Sequence, residues 1–274
     1  MVGNDFAGSK GPMKLSVLTD IISAAHLTRF VEGPYDQRGG IMIVAPPGHF
    51  KSTILEAALA DYPDVLRLSD LNVQQLGMLK ESLLSGRYNT LAFGEFQKLY
   101  ERNPATASNL EGHLRALIDE GFGKTSFQDP RMAGLMARTT LIAGITPSCY
   151  ANHYAHWLAT GFARRLLWVT YKLENPEAIE RAIHDWRLLD LGKVGSSFPI
   201  SRRIAYKVAP TTSQWISSLL NEQPSKETGF AMMKKIYCVL EWRFGKKRAY
   251  KIIADFAPAI SAKGALVHIE RKYI

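Results

Sequence analysis

Cysteine is scarce in this chain: Cys149 and Cys238 are the only two in 274 residues. They lie too far apart for metal-ligand spacing and too few for a disulfide framework, so free thiols in a reducing compartment are expected. Long apolar runs are missing as well. None approaches the ~20 residues that cross a bilayer, which argues against a membrane role. Met1 to Lys14 contains no long apolar segment, so no signal peptide is expected. Repeats and low-complexity tracts are absent. There is no Gly-x-Ser-x-Gly elbow and no Cys–His nucleophile pair. His153 and His156 have i, i+3 spacing, for which packing or surface roles are favoured over a metal site. A cytoplasmic globular protein is the expectation that survives these exclusions.

Charge is present but unevenly placed. Residues 1–200 hold 20 Lys and Arg against 20 Asp and Glu. Residues 201–274 hold 14 against 5, so the last quarter carries the whole net charge of +9. That shift suggests a boundary near residue 200, with a neutral core over 1–200 and a basic module over 201–274. A basic module beside a neutral core points to a polyanionic partner, with a merely solvated basic face as the alternative.

The most informative segment is Ile41 to Leu59. An apolar run, Ile41-Met42-Ile43-Val44, reads as a buried strand. Ala45-Pro46-Pro47-Gly48-His49-Phe50 follows as a tight loop. Lys51-Ser52-Thr53 then opens a helix. Strand, loop, Lys-Ser and helix are the parts of a phosphate-binding P-loop. Backbone amides at a helix start face an anion. The lysine ammonium reaches the terminal phosphates, and the serine hydroxyl ligates Mg²⁺. Pro47, Gly48, His49, Phe50, Lys51, Ser52 and Thr53 are therefore the expected nucleotide-binding residues, with ATP and Mg²⁺ as cofactors and Ser52 as the metal ligand. Two positions depart from G-x-x-x-x-G-K-[ST]. Ala45 stands at the first glycine, and Phe50 stands at the glycine before the lysine.

Strand and helix patterns alternate along the rest of the core. A helix is expected over Leu15–Phe30, strands at Asp64–Leu68, Asn89–Phe93, Thr139–Ile145 and Arg165–Tyr171, and helices at Leu71–Leu84 and Ala105–Glu120. This alternation predicts an α/β fold with a mainly parallel five-stranded sheet flanked by helices. Ligands then gather beyond the carboxyl ends of the strands. Glu95 sits just past the third strand and is the candidate base for water activation. Gly94 occupies the place where a metal-supporting acid is expected. Thr146, with Ser148 second, follows the fourth strand. It could meet the γ-phosphate or cap the next turn.

Several segments in this order resemble the additional-strand P-loop ATPases of the AAA+ type, the broad group of replicative and viral helicase motors. The loop at 45–52 is similar to their first motif. Asn109 to Gly121 is similar to the helix and acidic turn after their second motif. Leu141 to Pro147 is similar to their sensor strand, and Gly161 to Val169 to the arginine-bearing segment before their last strand. The resemblance covers about residues 40–172. It implies that Arg164 or Arg165 reaches the nucleotide of a neighbouring subunit, the alternative being an intramolecular ion pair. It thereby implies a homo-oligomer, either a closed ring or an open helical assembly. A viral or mobile-element origin is compatible with it.

The basic module is expected as a winged-helix-like or lid unit: a helix from Thr211, a second over Phe230–Phe244, a basic third helix from Lys246 to near Pro258, and a last strand over Gly264–Arg271. Lys246, Lys247, Arg248 and Lys251 are the candidate nucleic-acid contacts, with DNA the expected partner and RNA left open. Taken together, a helicase-like or DNA-translocating ATPase is expected. A nucleotide-gated DNA-binding assembly factor with slow or no hydrolysis is the alternative that Phe50 and Gly94 favour. A genome-packaging ATPase is the third.

Overall fold

The computed structural model describes residues 15–32, 38, 40–119, 121–123, 136–171, 204–206, 208–219 and 226–257. In chain order the elements are α1 (Leu15–Leu27), β1 (Val31–Glu32), β2 (Gly40–Val44), α2 (Lys51–Ala58), β3 (Val65–Leu68), α3 (Val73–Met78), α4 (Lys80–Leu84), β4 (Thr90–Phe93), α5 (Pro104–Ile118), β5 (Phe122–Gly123), β6 (Met136–Ala137), β7 (Thr140–Ile145), α6 (Pro147–Ala159), β8 (Leu166–Thr170), β9 (Ile204–Ala205), α7 (Pro210–Leu219), α8 (Lys226–Phe244) and α9 (Lys246–Phe256).

Five strands form one parallel sheet in the order β3–β4–β7–β2–β8. The α/β expectation therefore holds, with the strand before the loop near the middle of the sheet. Parallel strands are buried on both faces and read as continuous apolar runs. Here alternate residues go to opposite layers. Ile41, Ile43, Ala92, Ile142, Leu167 and Val169 join one apolar cluster. Met42, Val44, Phe93, Leu141, Ala143 and Trp168 join the other. The first layer is covered by α1, α2, α8 and α9. The second is covered by α3 to α6.

Local sequence explains several element ends. Asn72 makes a capping box with Gln75 and starts α3. Asn103 caps α5, with Pro104 at the first helical position. The helix expected over 71–84 is divided into α3 and α4 at Leu79. Three features were not expected: α6, the parallel pairing of Val31–Glu32 with Ile204–Ala205, and the antiparallel pairing of Phe122–Gly123 with Met136–Ala137.

The boundary expected at residue 200 is not a break in packing among the described residues. Met233, Ile236, Tyr237 and Leu240 of α8, and Ile252, Ile253 and Phe256 of α9, share one buried cluster with α1, α2 and the sheet. These helices serve as a cover on the core. The expected last strand, Gly264–Arg271, lies outside the described residues.

Away from the loop, His26 and Arg29 at the end of α1 face Asp64, just before β3. Burial alone would raise the Asp64 carboxyl. The hydrogen bond to His26 and the His26 and Arg29 charges outweigh it and hold the group at about 2. Burial lowers His26. This cluster fixes α1 against the amino ends of β3 and β4, where the His26 Nδ1 lies 2.8 Å from the Thr90 hydroxyl.

Candidate functional site: the loop at the carboxyl edge of the sheet

Residues 45–50 leave β2 at the carboxyl edge of the sheet and enter α2 at Lys51. The loop base is pinned to both neighbouring strands. The Ala45 amide donates to the Ile145 carbonyl at 3.1 Å, and the Tyr171 amide to the Val44 carbonyl at 3.3 Å. Gly48 and Phe50 both have left-handed backbones, at φ 74° and 55°. Among the described residues Phe50 is the only non-glycine with positive φ. For an L side chain this conformation costs about 1–2 kcal/mol. The partly buried Phe50 ring packs against the first apolar cluster, and its carbonyl accepts the Ile54 amide at 2.9 Å. Phe50 thus adopts the left-handed backbone that glycine reaches most readily.

Lys51 is only 8% exposed. Its ammonium donates to the Ala45 and Pro46 carbonyls at 2.8 and 2.9 Å. Burial pulls the amine down to about 8, and the charge of Glu95 works in the opposite direction. His49 is buried. Its Nδ1 lies 3.0 Å from the Pro47 carbonyl, which makes it the donor, while Nε2 has no partner. Pro47 and Gly48 are exposed at the loop tip, and Ser52 and Thr53 are half-buried in the first turn of α2.

The third strand comes unusually close to that first turn. A Cβ on Gly94 would lie 2.7 Å from the Ser52 hydroxyl and 3.0 Å from the Ser52 Cβ. A Cβ on Gly144, in β7, would lie 3.2 Å from the Lys51 Cβ. The two glycines let the helix start settle against the strand ends. Any side chain at position 94 would require Ser52 to shift.

Glu95 follows at the same edge and is exposed, with its carboxylate 2.5 Å from the Lys98 ammonium. Thr146 follows β7, beside the loop strand. Its hydroxyl accepts the Cys149 amide at 3.3 Å and lies 3.1 Å from the Ser148 hydroxyl. It is therefore the cap of α6, the second of the two roles its position allowed.

Arg164 and Arg165 precede β8, whose first residue is level with Gly40 at the opposite, amino edge of the sheet. They cannot serve the loop of their own chain. Arg165 pairs with Asp119 at 2.5 Å and donates to the Gly161 carbonyl at 2.7 Å. Arg164 is exposed. The four candidate nucleic-acid contacts, Lys246, Lys247, Arg248 and Lys251, are exposed on α9, whose other face is buried.

Sequence reasoning missed a polar network under the second layer. The buried Glu111 carboxylate accepts from the Tyr100 hydroxyl at 3.2 Å and the Thr160 hydroxyl at 2.7 Å. The Trp157 indole donates to Tyr100 at 2.7 Å. His153 stacks on Tyr100, and His156 Nε2 lies 3.3 Å from Glu111. His153 packs among aromatic rings and His156 is exposed beside Glu111, and among the described residues no group of three or more His, Cys, Asp or Glu is placed to hold a metal ion.

No family model and no curated protein matches the chain. Among the described residues no helix is long and apolar enough to cross a membrane.

Proposed function

We propose that this chain is an oligomeric P-loop ATPase of the additional-strand, AAA+-like class that acts on nucleic acid as a helicase-like or DNA-translocating motor. One observation carries the reading. A buried lysine opens the helix that follows an inner parallel strand, and Ser52, Glu95 and Thr146 gather at the same edge. The strand order supports it further, because β7 is inserted between the loop strand and β4, the strand that leads to Glu95.

The loop suits the phosphates of ATP. An ammonium that now satisfies two carbonyls can turn to phosphate oxygens, and the amides of residues 48–53 lie at a helix start. Ser52 offers a hydroxyl to Mg²⁺, with no carboxylate at position 94 beside it. When bound, the ion would neutralise charge on the β- and γ-phosphates. Glu95 is the group to orient the attacking water once it leaves Lys98. Arg164, which is exposed, or Arg165, which pairs with Asp119, would reach the nucleotide of a neighbouring subunit. Lys246, Lys247, Arg248 and Lys251 would hold the phosphates of DNA or RNA.

The close approach of Gly94 to Ser52 favours a second reading, a nucleotide-gated DNA-binding assembly factor with slow hydrolysis. Calorimetry with a non-hydrolysable ATP analogue, followed by steady-state ATP turnover with and without DNA, tests both. Binding with DNA-stimulated turnover supports the motor. Binding with negligible turnover supports the assembly factor. Absence of analogue binding overturns the P-loop assignment.

A further inference from the structure

Tyr171 follows directly on β8, the edge strand beside the loop strand. Its amide is bonded to Val44, so it stands level with the base of the loop. Its side chain is 5% exposed, and its hydroxyl donates to the carbonyl of His49, 122 residues earlier. That carbonyl belongs to the peptide leading into Phe50. The left-handed shape of Phe50 is disfavoured for an L side chain, so it persists only where the surroundings impose it. The ring of Phe50 packs on the first apolar cluster, and its carbonyl is bonded to Ile54 in its own helix. The Tyr171 hydroxyl acts from another strand and fixes the peptide that precedes the strained residue.

We infer that Tyr171 is a positioning residue for the loop: by clamping the His49 carbonyl it holds Phe50 in the left-handed conformation that turns the loop amides and Lys51 toward a polyphosphate. This rests on reading residues 45–53 as a nucleotide site. It also accounts for phenylalanine where the motif has glycine. Glycine reaches the left-handed region unaided. Phenylalanine reaches it with a clamp. Residues 50 and 171 then act as one unit and are energetically coupled.

The test measures affinity for a non-hydrolysable ATP analogue in wild type, Tyr171→Phe, Phe50→Gly and the double variant. Tyr171→Phe removes only a hydroxyl and should weaken binding roughly five- to tenfold, the scale of one buried hydrogen bond. Phe50→Gly sets its own reference affinity, and adding Tyr171→Phe to it should change that affinity by less than about twofold. Without nucleotide, the amides of residues 48–51 should exchange faster in Tyr171→Phe than in wild type. Lys51→Ala, run in parallel, separates the two levels. Unchanged affinity in Lys51→Ala overturns the nucleotide site itself. If Lys51→Ala abolishes binding while Tyr171→Phe binds like wild type, the clamp alone is overturned. The same holds if Tyr171→Phe loses an equal factor in the Phe50→Gly background. Should Tyr171→Phe fold poorly, Tyr171→Met, which fills the same space without a donor, replaces it, and wild-type affinity in that variant would overturn the clamp.

Discussion

Two cationic regions of this molecule are built in opposite ways. Lys51 is a single buried ammonium, held by two backbone carbonyls and pulled down to about 8 by burial. The start of α9 carries four exposed cations and has no acidic residue in its first turn. Close by, the guanidiniums of Arg243 and Arg248 both lie over the Phe244 ring, at 4.9 and 4.7 Å. Cations at a helix amino end oppose the helix dipole, so this cluster is not arranged for helix stability. The contrast separates two kinds of function. A buried cation acts alone and cannot be substituted. Exposed cations act as a sum, and salt screens them.

The contrast breaks most visibly at Lys51. Lys51→Ala should weaken ATP-analogue binding by roughly 100-fold, the upper end for a hydrogen bond to a charged group. Its fold should persist, since the relieved desolvation of the charge offsets the loss of the donor to the Ala45 and Pro46 carbonyls. Calorimetry and thermal melting read the two effects, and unchanged affinity would remove the lysine from the site.

Glu95→Gln comes next. It should bind the analogue normally yet turn over at least ~10²-fold more slowly, the scale of a lost general base. Steady-state turnover near the wild-type rate would assign the water to another group.

At the exposed region the expected change is graded. Neutralising Lys246, Lys247, Arg248 and Lys251 together should leave ATP binding intact. The slope of log affinity for DNA against log salt should shrink by roughly 0.7–0.9 per lost phosphate contact. Unrelated sequences should be affected alike. A wild-type slope would make the run a solvated face only.

The smallest effect sharpens the comparison through pH. The free Lys51 amine loses its proton above about 8. An anionic ligand favours the ammonium, so binding above that pH must take up a proton. Analogue affinity should fall by at most about tenfold per pH unit above 8. It should be flat over that range in Lys51→Ala. For stability the sign is reversed: the lowered value disfavours the folded state while the amine is charged, so this cost fades as pH rises from about 8 towards 10.5. Titrations of the analogue across this pH range, in wild type and Lys51→Ala, check both affinity expectations.

Legibility from sequence followed the range of the interactions involved. The apolar runs at 41–44, 90–93, 140–145 and 166–170 were readable as strands, because two-sided burial leaves continuous apolar runs. Helix α6 was missed although Thr146-Pro147 is a start signal, because the polar and aromatic residues at 152–157 obscure its periodicity. The basic quarter suggested a separate module, yet α8 and α9 pack on the core. Charge records only the exposed face of such helices, and their apolar face found its partner in α1, 200 residues away in the chain.

By itself the sequence determined the strand–loop–helix at 41–59, the alternation of elements and the position of the basic cluster. Each follows from residues adjacent in the chain, where periodicity, turn chemistry and composition act directly. Only the tertiary structure decided that Ser52 fills the space at Gly94, that Thr146 caps α6, that Arg165 belongs to Asp119, and that Tyr171 reaches His49. Those outcomes depend on which strands lie side by side and how closely they pack. Strand order is a property of the whole sheet, which no local pattern encodes.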